Sequence, residues 1–327
     1  MNRDPGKLRI LVAGALLLLP VHGANAAAAA YPTRAIRLIV PFVAGGGTDL
    51  LARLLSPSLS DVLGQQIVVD NRGGAGSVLG TQILAKSPPD GYTLAMLDTA
   101  FAINPSLVDK LPFDAARDFA FVAIIATSPT LLVTHPGLKV RTIQELVAAA
   151  KNNPGKITYA SAGVGSSSHL TGAMLNNAAK ISLLHVPYKG AGAGIVDVLG
   201  GHADLTFVVP GAVMQQIQAG TLIPLAITGK NSPPLLPAVP TFASAGLADV
   251  NPQAFRFIAA PGGLPSSIQK KLGASLRTVM GAQNLKIRLV DNGFDPEFLT
   301  DQEARAFVVR EIHKWRQAVT DSGAKAN

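Results

Sequence analysis

Apolar runs of strand length alternate with stretches of helical character along almost the whole chain, and this alternation restricts the fold more than any other feature. IRLIVPF reads as a strand, TDLLARLLSPSLSDVLG as a helix, QIVVDN as a strand, SVLGTQILAKS as a helix and YTLAML as a strand. The habit returns with KITYAS, SSHLTGAMLNNAAK, LLHVPY, AGIVDVLGG, ADLTFVV, MQQIQAG and LIPLAIT. Strands separated by helices pair side by side in parallel, so the predicted class is α/β with doubly wound, largely parallel sheets. Two units of similar size follow one another. A Pro-rich irregular stretch, SPPLLPAVPTFASAG, comes after them, then two helices around SSIQKKLGASLRTVMG and DQEARAFVVREIHKWRQAVTDSG.

The N-terminus sets the expected compartment. Arg3, Lys7 and Arg9 precede the apolar run ILVAGALLLLPV, and Ala24-Asn25-Ala26 offers small residues for cleavage. This is the pattern of a secretory signal peptide, with processing expected after Ala26. The run is about a dozen residues long, whereas a spanning helix needs roughly 20. No Cys follows it, which excludes a lipoprotein anchor. Removing residues 1–26 takes away three basic residues and one acidic one, leaving 25 Lys and Arg against 19 Asp and Glu, near +6.

The remaining length, about 300 residues, suggests two domains with ample core. With no Cys in the chain, there is no disulfide, thiol nucleophile or thiolate metal site, and burial alone stabilises the fold. His135, His169, His185, His202 and His313 show no HxH or HExxH spacing, so no metal or other cofactor is expected. Lys and Arg are scattered; the densest cluster, Arg310, Lys314 and Arg316, reads as a solvated helix face, and no nucleic-acid partner is expected.

In open α/β sheets ligands sit beyond the carboxyl ends of the strands. The loops there are rich in Gly and hydroxyls: VAGGGTD after IRLIVPF, RGGAGS after QIVVDN, AGVGSSSH after KITYAS. Glycine lets backbone approach a ligand, and the helix start that follows favours anions. Together they point to a carboxylate-bearing ligand.

Collinear segments along the chain resemble the Bug receptors, the periplasmic solute-binding components of tripartite tricarboxylate transporters. They are YPTRAIRLIVPFVAGGGTD, LGQQIVVDNRGGAGSVLG, PPDGYTL, INPSLVDKLPFDAARDFA, PGKITYASAGVGSSSHL, LLHVPYKG, DVLGGHADLTF, LPAVPTFASAGL, APGGLP and REIHKWRQAV. The resemblance implies a type II-like periplasmic binding protein: two lobes joined by two crossing segments and closing on a small organic acid. The first lobe is expected at 31–126 plus 228–327 and the second at 127–227. It implies a monomer without catalytic activity or cofactor, whose partner is a transporter permease or, in the alternative reading, a sensor kinase.

The resemblance maps one ligand-binding face onto Phe42, Ala44, Gly45, Gly46, Gly47, Thr48 and Asp49, and the other onto Ser161, Ala162, Gly163, Ser166, Ser167 and Ser168. Asp49 has two open roles, capping the helix or meeting a ligand amine or hydroxyl. Asp98 and Thr99, ending the third strand, are further candidates, with Tyr188. Relatives often carry Asp-Asn where this chain has Val208-Val209, and an aromatic where it has Arg256. The site is therefore expected to trade a polar contact and an aromatic for an apolar wall and a cation, and Arg256 has two open roles, meeting a second carboxylate of the ligand or pairing on the surface with a nearby acid. Sugars are disfavoured because the only Trp, Trp315, lies in the last helix.

Two enzyme readings compete. Gly74-Ala75-Gly76 through Gly80, followed by Asp98, imitates a dinucleotide fingerprint, but the spacing is GxGxxxG. Ser168-His169 suggests a hydrolase, yet no GxSxG elbow exists.

Overall fold

Residues 1–2 and 31–324 are described by a computed structural model. The expected signal peptide and its cleavage site lie outside the described residues. Among the described residues no helix is long and apolar enough to cross a membrane.

The β-branched run Ile36–Val40 forms β1 and leads into α1 (Gly47–Leu63). Leu51, Leu55 and Leu59 recur on one face of α1 and are fully buried, and Gly64 ends the helix with a positive φ of 68°. Then come β2 (Ile67–Asn71), α2 (Val78–Ala85), β3 (Thr93–Asp98) and α3 (Ala100–Leu107). The chain continues into β4 (Phe119–Ser128) and crosses to a second sheet at β5 (Leu131–Thr134).

The second sheet is completed by α4 (Ile143–Asn152), β6 (Thr158–Ser161), α5 (Ser167–Ala179), β7 (Leu184–Pro187), α6 (Ala191–Leu199), β8 (Leu205–Val208), α7 (Met214–Gln218) and β9 (Ile223–Ile227). The return crossing leads to β10 (Ala254–Pro261), α8 (Ser266–Gly281), α9 (Gln283–Asp291), β11 (Asp295–Thr300) and α10 (Asp301–Ser322).

The sheet orders are β11-β4-β10-β3-β1-β2 and β7-β6-β8-β5-β9. Both repeat one scheme, in which a strand arriving from the other sheet inserts beside the third strand and runs against it. β1, β2 and β3 are parallel, and β10 runs antiparallel to both β3 and β4. In the second sheet β6, β7 and β8 are parallel, and β5 opposes β8 and β9. Each sheet is thus dominated by one direction, with the inserted strand reversed and, in the first sheet, the edge strand β11 also running against β4. Helices cover both faces of each sheet, giving two packed apolar layers per sheet.

The Pro-rich stretch carries Leu236, Val239, Phe242 and Val250 into the core of the second sheet. The expected lobe boundary at 228 falls inside this packing. The two crossings are tied together: Thr130 N donates to Thr228 Oγ1 at 2.8 Å, and Thr228 N returns a bond to Thr130 O at 2.9 Å.

Candidate functional site

The carboxyl edges of the two sheets meet at one cavity of about 50 Å³. From the first sheet it is lined by Phe42, Gly46, Gly47, Thr48, Asp49, Asp98, Ala254 and Arg256. From the second it is lined by Thr130, Ala162, Ser166, Ser167, Ser168, Ala191, Phe207, Val208 and Val209.

Three helices begin here. α1 starts after Gly46 with no side-chain cap, so the N–H groups of its first turn are left for water or a ligand. α6 likewise starts without a side-chain cap, and its first residue, Ala191, lines the cavity. α5 is capped by Ser166, whose Oγ accepts from His169 N at 3.3 Å and donates to Gly163 O at 2.6 Å. Ser168 Oγ accepts from Ala162 N at 2.9 Å and lies 3.0 Å from Ser166 Oγ. Each helix start carries partial positive charge, so the cavity is biased toward an anion.

The two loops are held from behind. Asp49, expected either to cap α1 or to meet the ligand, commits its carboxylate to the loop. It accepts from Gly45 N at 3.0 Å, Asn71 Nδ2 at 3.0 Å and Arg53 Nε at 3.0 Å. Burial alone would raise its pKa, but the bonds from Arg53, Gly45 and Asn71 outweigh this and hold it below the usual carboxylate range.

Behind the AGVGSSSH loop, His169 and His185 stack with ring centroids 4.2 Å apart. His169 Nδ1 accepts from Gly165 N at 3.3 Å, and His185 Nε2 lies 2.6 Å from Ser161 Oγ. Burial pushes both imidazoles down to about 4, His185 with a further contribution from His169, so both are neutral near pH 7.

Asp98 and Arg256 face each other across β3 and β10. Asp98 Oδ1 accepts from Ala100 N at 3.0 Å, and Oδ2 accepts from Thr48 Oγ1 at 3.3 Å. Arg256 Nη1 donates to Ser128 Oγ at 2.8 Å, and its Nε, fully buried, has no acceptor. A Cβ on Gly47 would lie 3.0 Å from Arg256 Nη2 and overlap Val209 Cγ2, so only glycine fits between these groups.

Residues 51–323 match the family model described as the tripartite tricarboxylate transporter family receptor. The chain belongs to this family. It is 34% identical to protein BugT of Bordetella pertussis over 99% of both chains. A Rhodopseudomonas palustris protein solved with adipate superposes with a TM-score of 0.87 at 31% identity, covering 90% of this chain and 99% of the other. MatC of Rhodopseudomonas palustris, solved with bound malate, superposes with a TM-score of 0.81 at 28% identity, covering 88% and 100%.

In this receptor most of the residues expected from sequence reach the cavity: Phe42, Gly46, Gly47, Thr48, Asp49, Asp98, Ala162, Ser166, Ser167, Ser168, Val208 and Arg256. Ala44, Gly45, Thr99, Ser161, Gly163 and Tyr188 do not line it. Gly45 N binds Asp49, Thr99 Oγ1 accepts from Phe255 N at 2.9 Å, and Gly163 N donates to Ser161 Oγ at 3.1 Å. Tyr188 Oη donates to Asp197 Oδ2 at 2.6 Å, and Tyr188 lines a neighbouring groove with Val43, Lys189 and Ala193. Thr48 lies inside α1 and donates its hydroxyl to Asp98. Val209, named with Val208 as an apolar wall, also lines the cavity. Sequence reasoning missed Thr130, Ala191, Phe207 and Ala254. Thr130 and Ala254 sit at the starts of β5 and β10, which reach the carboxyl edge only because those strands are reversed. Phe207 precedes the candidate Val208 and was within reach of the same reasoning.

Proposed function

We propose that this chain is a periplasmic receptor that captures a small organic carboxylate between two lobes and presents it to the membrane components of a tripartite tricarboxylate-type transporter. The observation that carries this reading is the convergence of three helix starts, two from one sheet and one from the other, with the Ser166 to Ser168 hydroxyls on a single cavity. Such a site neutralises an anion with fixed dipoles. The adipate and malate bound by related proteins support an acid as the ligand.

The lobes divide at the crossings after Ser128 and before Ala254, with the Thr130–Thr228 pair as the hinge. A ligand bound more tightly by the closed arrangement shifts the lobes toward it. The work is done by binding alone, with no covalent step and no cofactor. The signal-peptide pattern of residues 1–26 supports the periplasmic location.

Thermal denaturation against a panel of mono-, di-, tri- and aromatic carboxylic acids tests this. At about 100 times Kd a ligand adds roughly 2.7 kcal/mol, and each kcal/mol is worth about 2–4 °C in a chain of this size. One class of acid should raise Tm by several degrees. Protein freed of co-purified ligand that responds to none would refute the reading.

A further inference from the structure

We infer that Arg256 reads a second acidic group on the ligand, and that its cross-strand neighbour Asp98 takes up a proton from solvent so that two carboxylates can share one guanidinium. This rests on the carboxylate-receptor reading above and deepens it.

Three observations meet at Arg256. The residue is 4% exposed, yet its Nε has no acceptor and no acidic oxygen lies within 4.0 Å of its guanidinium among the described residues. Its Nη2 sits beside Gly47, at the positive end of α1. A buried cation set against a helix start is electrostatically incomplete, and the group that completes it is an anion. Finally, the guanidinium is held in place by Ser128 Oγ and by the Phe294 ring, whose centroid lies 5.2 Å from Cζ. Ser166 to Ser168, at the start of α5, line the same cavity from the second sheet. A ligand with one carboxylate there and another at Arg256 engages both sheets.

Asp98 decides the charge balance. The charged side chains lining the cavity are Asp49 from α1, Asp98 from β3 and Arg256 from β10; the second sheet and α5 contribute none. Asp49 is ion-paired with Arg53 and hydrogen-bonded by Asn71 and the Gly45 amide. Asp98 is buried, which raises its pKa, an effect opposed by Arg256, the Ala100 N–H and the Thr48 hydroxyl. An incoming carboxylate competes for Arg256 and adds a like charge, and both changes favour the protonated acid at Asp98. Arg256 itself, lowered to about 10 by burial against the opposing pull of Asp98, stays charged at neutral pH.

The test is calorimetric titration of the intact protein with matched pairs of equal chain length, succinate and butyrate, adipate and hexanoate, at pH 6, 7.5 and 9. The wild type should prefer one diacid over its monoacid by about 30-fold or more, the scale of a desolvated charge pair, and bind it more weakly as pH rises. Arg256→Gln should bring the diacid-to-monoacid ratio to within about threefold of one, and Arg256→Lys should restore part of it. Loss of folding would lower both affinities without changing their ratio. Asp98→Asn should bind the diacid more tightly than the wild type at pH 9 and with a flatter pH response. A ratio unchanged in Arg256→Gln, a wild type that binds monoacid and diacid alike, or an Asp98→Asn protein weaker than wild type at pH 9 would overturn the inference while leaving the receptor reading intact. No binding of any acid would overturn both.

Discussion

Side chains behind the binding loops set the pH range over which the loops hold their shape. His169 and His185 are pushed down to about 4 by burial, whereas an unfolded histidine titrates near 6.5. Between these values the unfolded chain binds protons that the native state refuses. Their contribution to stability is therefore complete above about pH 6.5 and is lost as pH falls toward 4. Thermal melts from pH 7.5 to 4 should show a falling Tm, with a shallower slope in His185→Gln; an identical slope in that variant would assign the acid sensitivity to other groups. The sequence named His169 and His185 as failing a metal spacing, and His169 beside Ser168 in a hydrolase reading, but not as a pair, because stacking between a helix and a strand 16 positions apart leaves no local trace. Loop residues such as Gly47 and Ser166 were legible because their chemistry is carried by their position between a strand and a helix. Asp49 was left open although Arg53, one turn along the same helix, was legible as an i,i+4 partner; its other side-chain partner, Asn71, comes from a separate strand that only folding brings near.

At the scale of elements, the alternating periodicity was enough to read β1 to β3 and β6 to β9 with the helices between them. It did not read β4, β5, β10 or β11 as strands, and period alone could not have given the reversal of β5 and β10, since side-chain period is the same whichever way a strand runs. Direction is set by where the chain re-enters a sheet. That one omission accounts for Thr130 and Ala254, whereas Arg256 was found through a departure from the family pattern. Contact between the lobes is made by small residues on backbone: Val43 N donates to Lys189 O at 3.1 Å, and a Cβ on Gly192, in the first turn of α6, would overlap Ala44 O. Gly192→Ala should therefore separate stability from binding. Alanine favours the helix by roughly 0.5–1 kcal/mol, so Tm without ligand should hold or rise, while closure is blocked and acid affinity falls more than about tenfold. Calorimetry and melting on the same protein check this; unchanged affinity would mean that α6 does not close on the loop after β1.

For the whole molecule, the two sheets repeat one topology, and the chain passes between them twice through residues joined by the Thr130–Thr228 bonds. The last helix, α10, packs against both α3 and α5, and Asn177 Nδ2 donates to Asp321 O at 2.9 Å. The lobe closure proposed above would therefore have to slide or release this contact as well as the cleft. The fold class was legible because two βαβ series of similar length require two sheets; the length of the Pro-rich segment that stays with the second sheet was not, because its apolar residues lack regular spacing. A crystal structure of the protein grown with the acid that gives the largest thermal shift tests the binding reading most directly. A carboxylate is predicted within about 3 Å of the Gly47 or Thr48 amides, together with an acidic or polar group of the same molecule against Ser166 to Ser168; an acid bound away from both helix starts would contradict it.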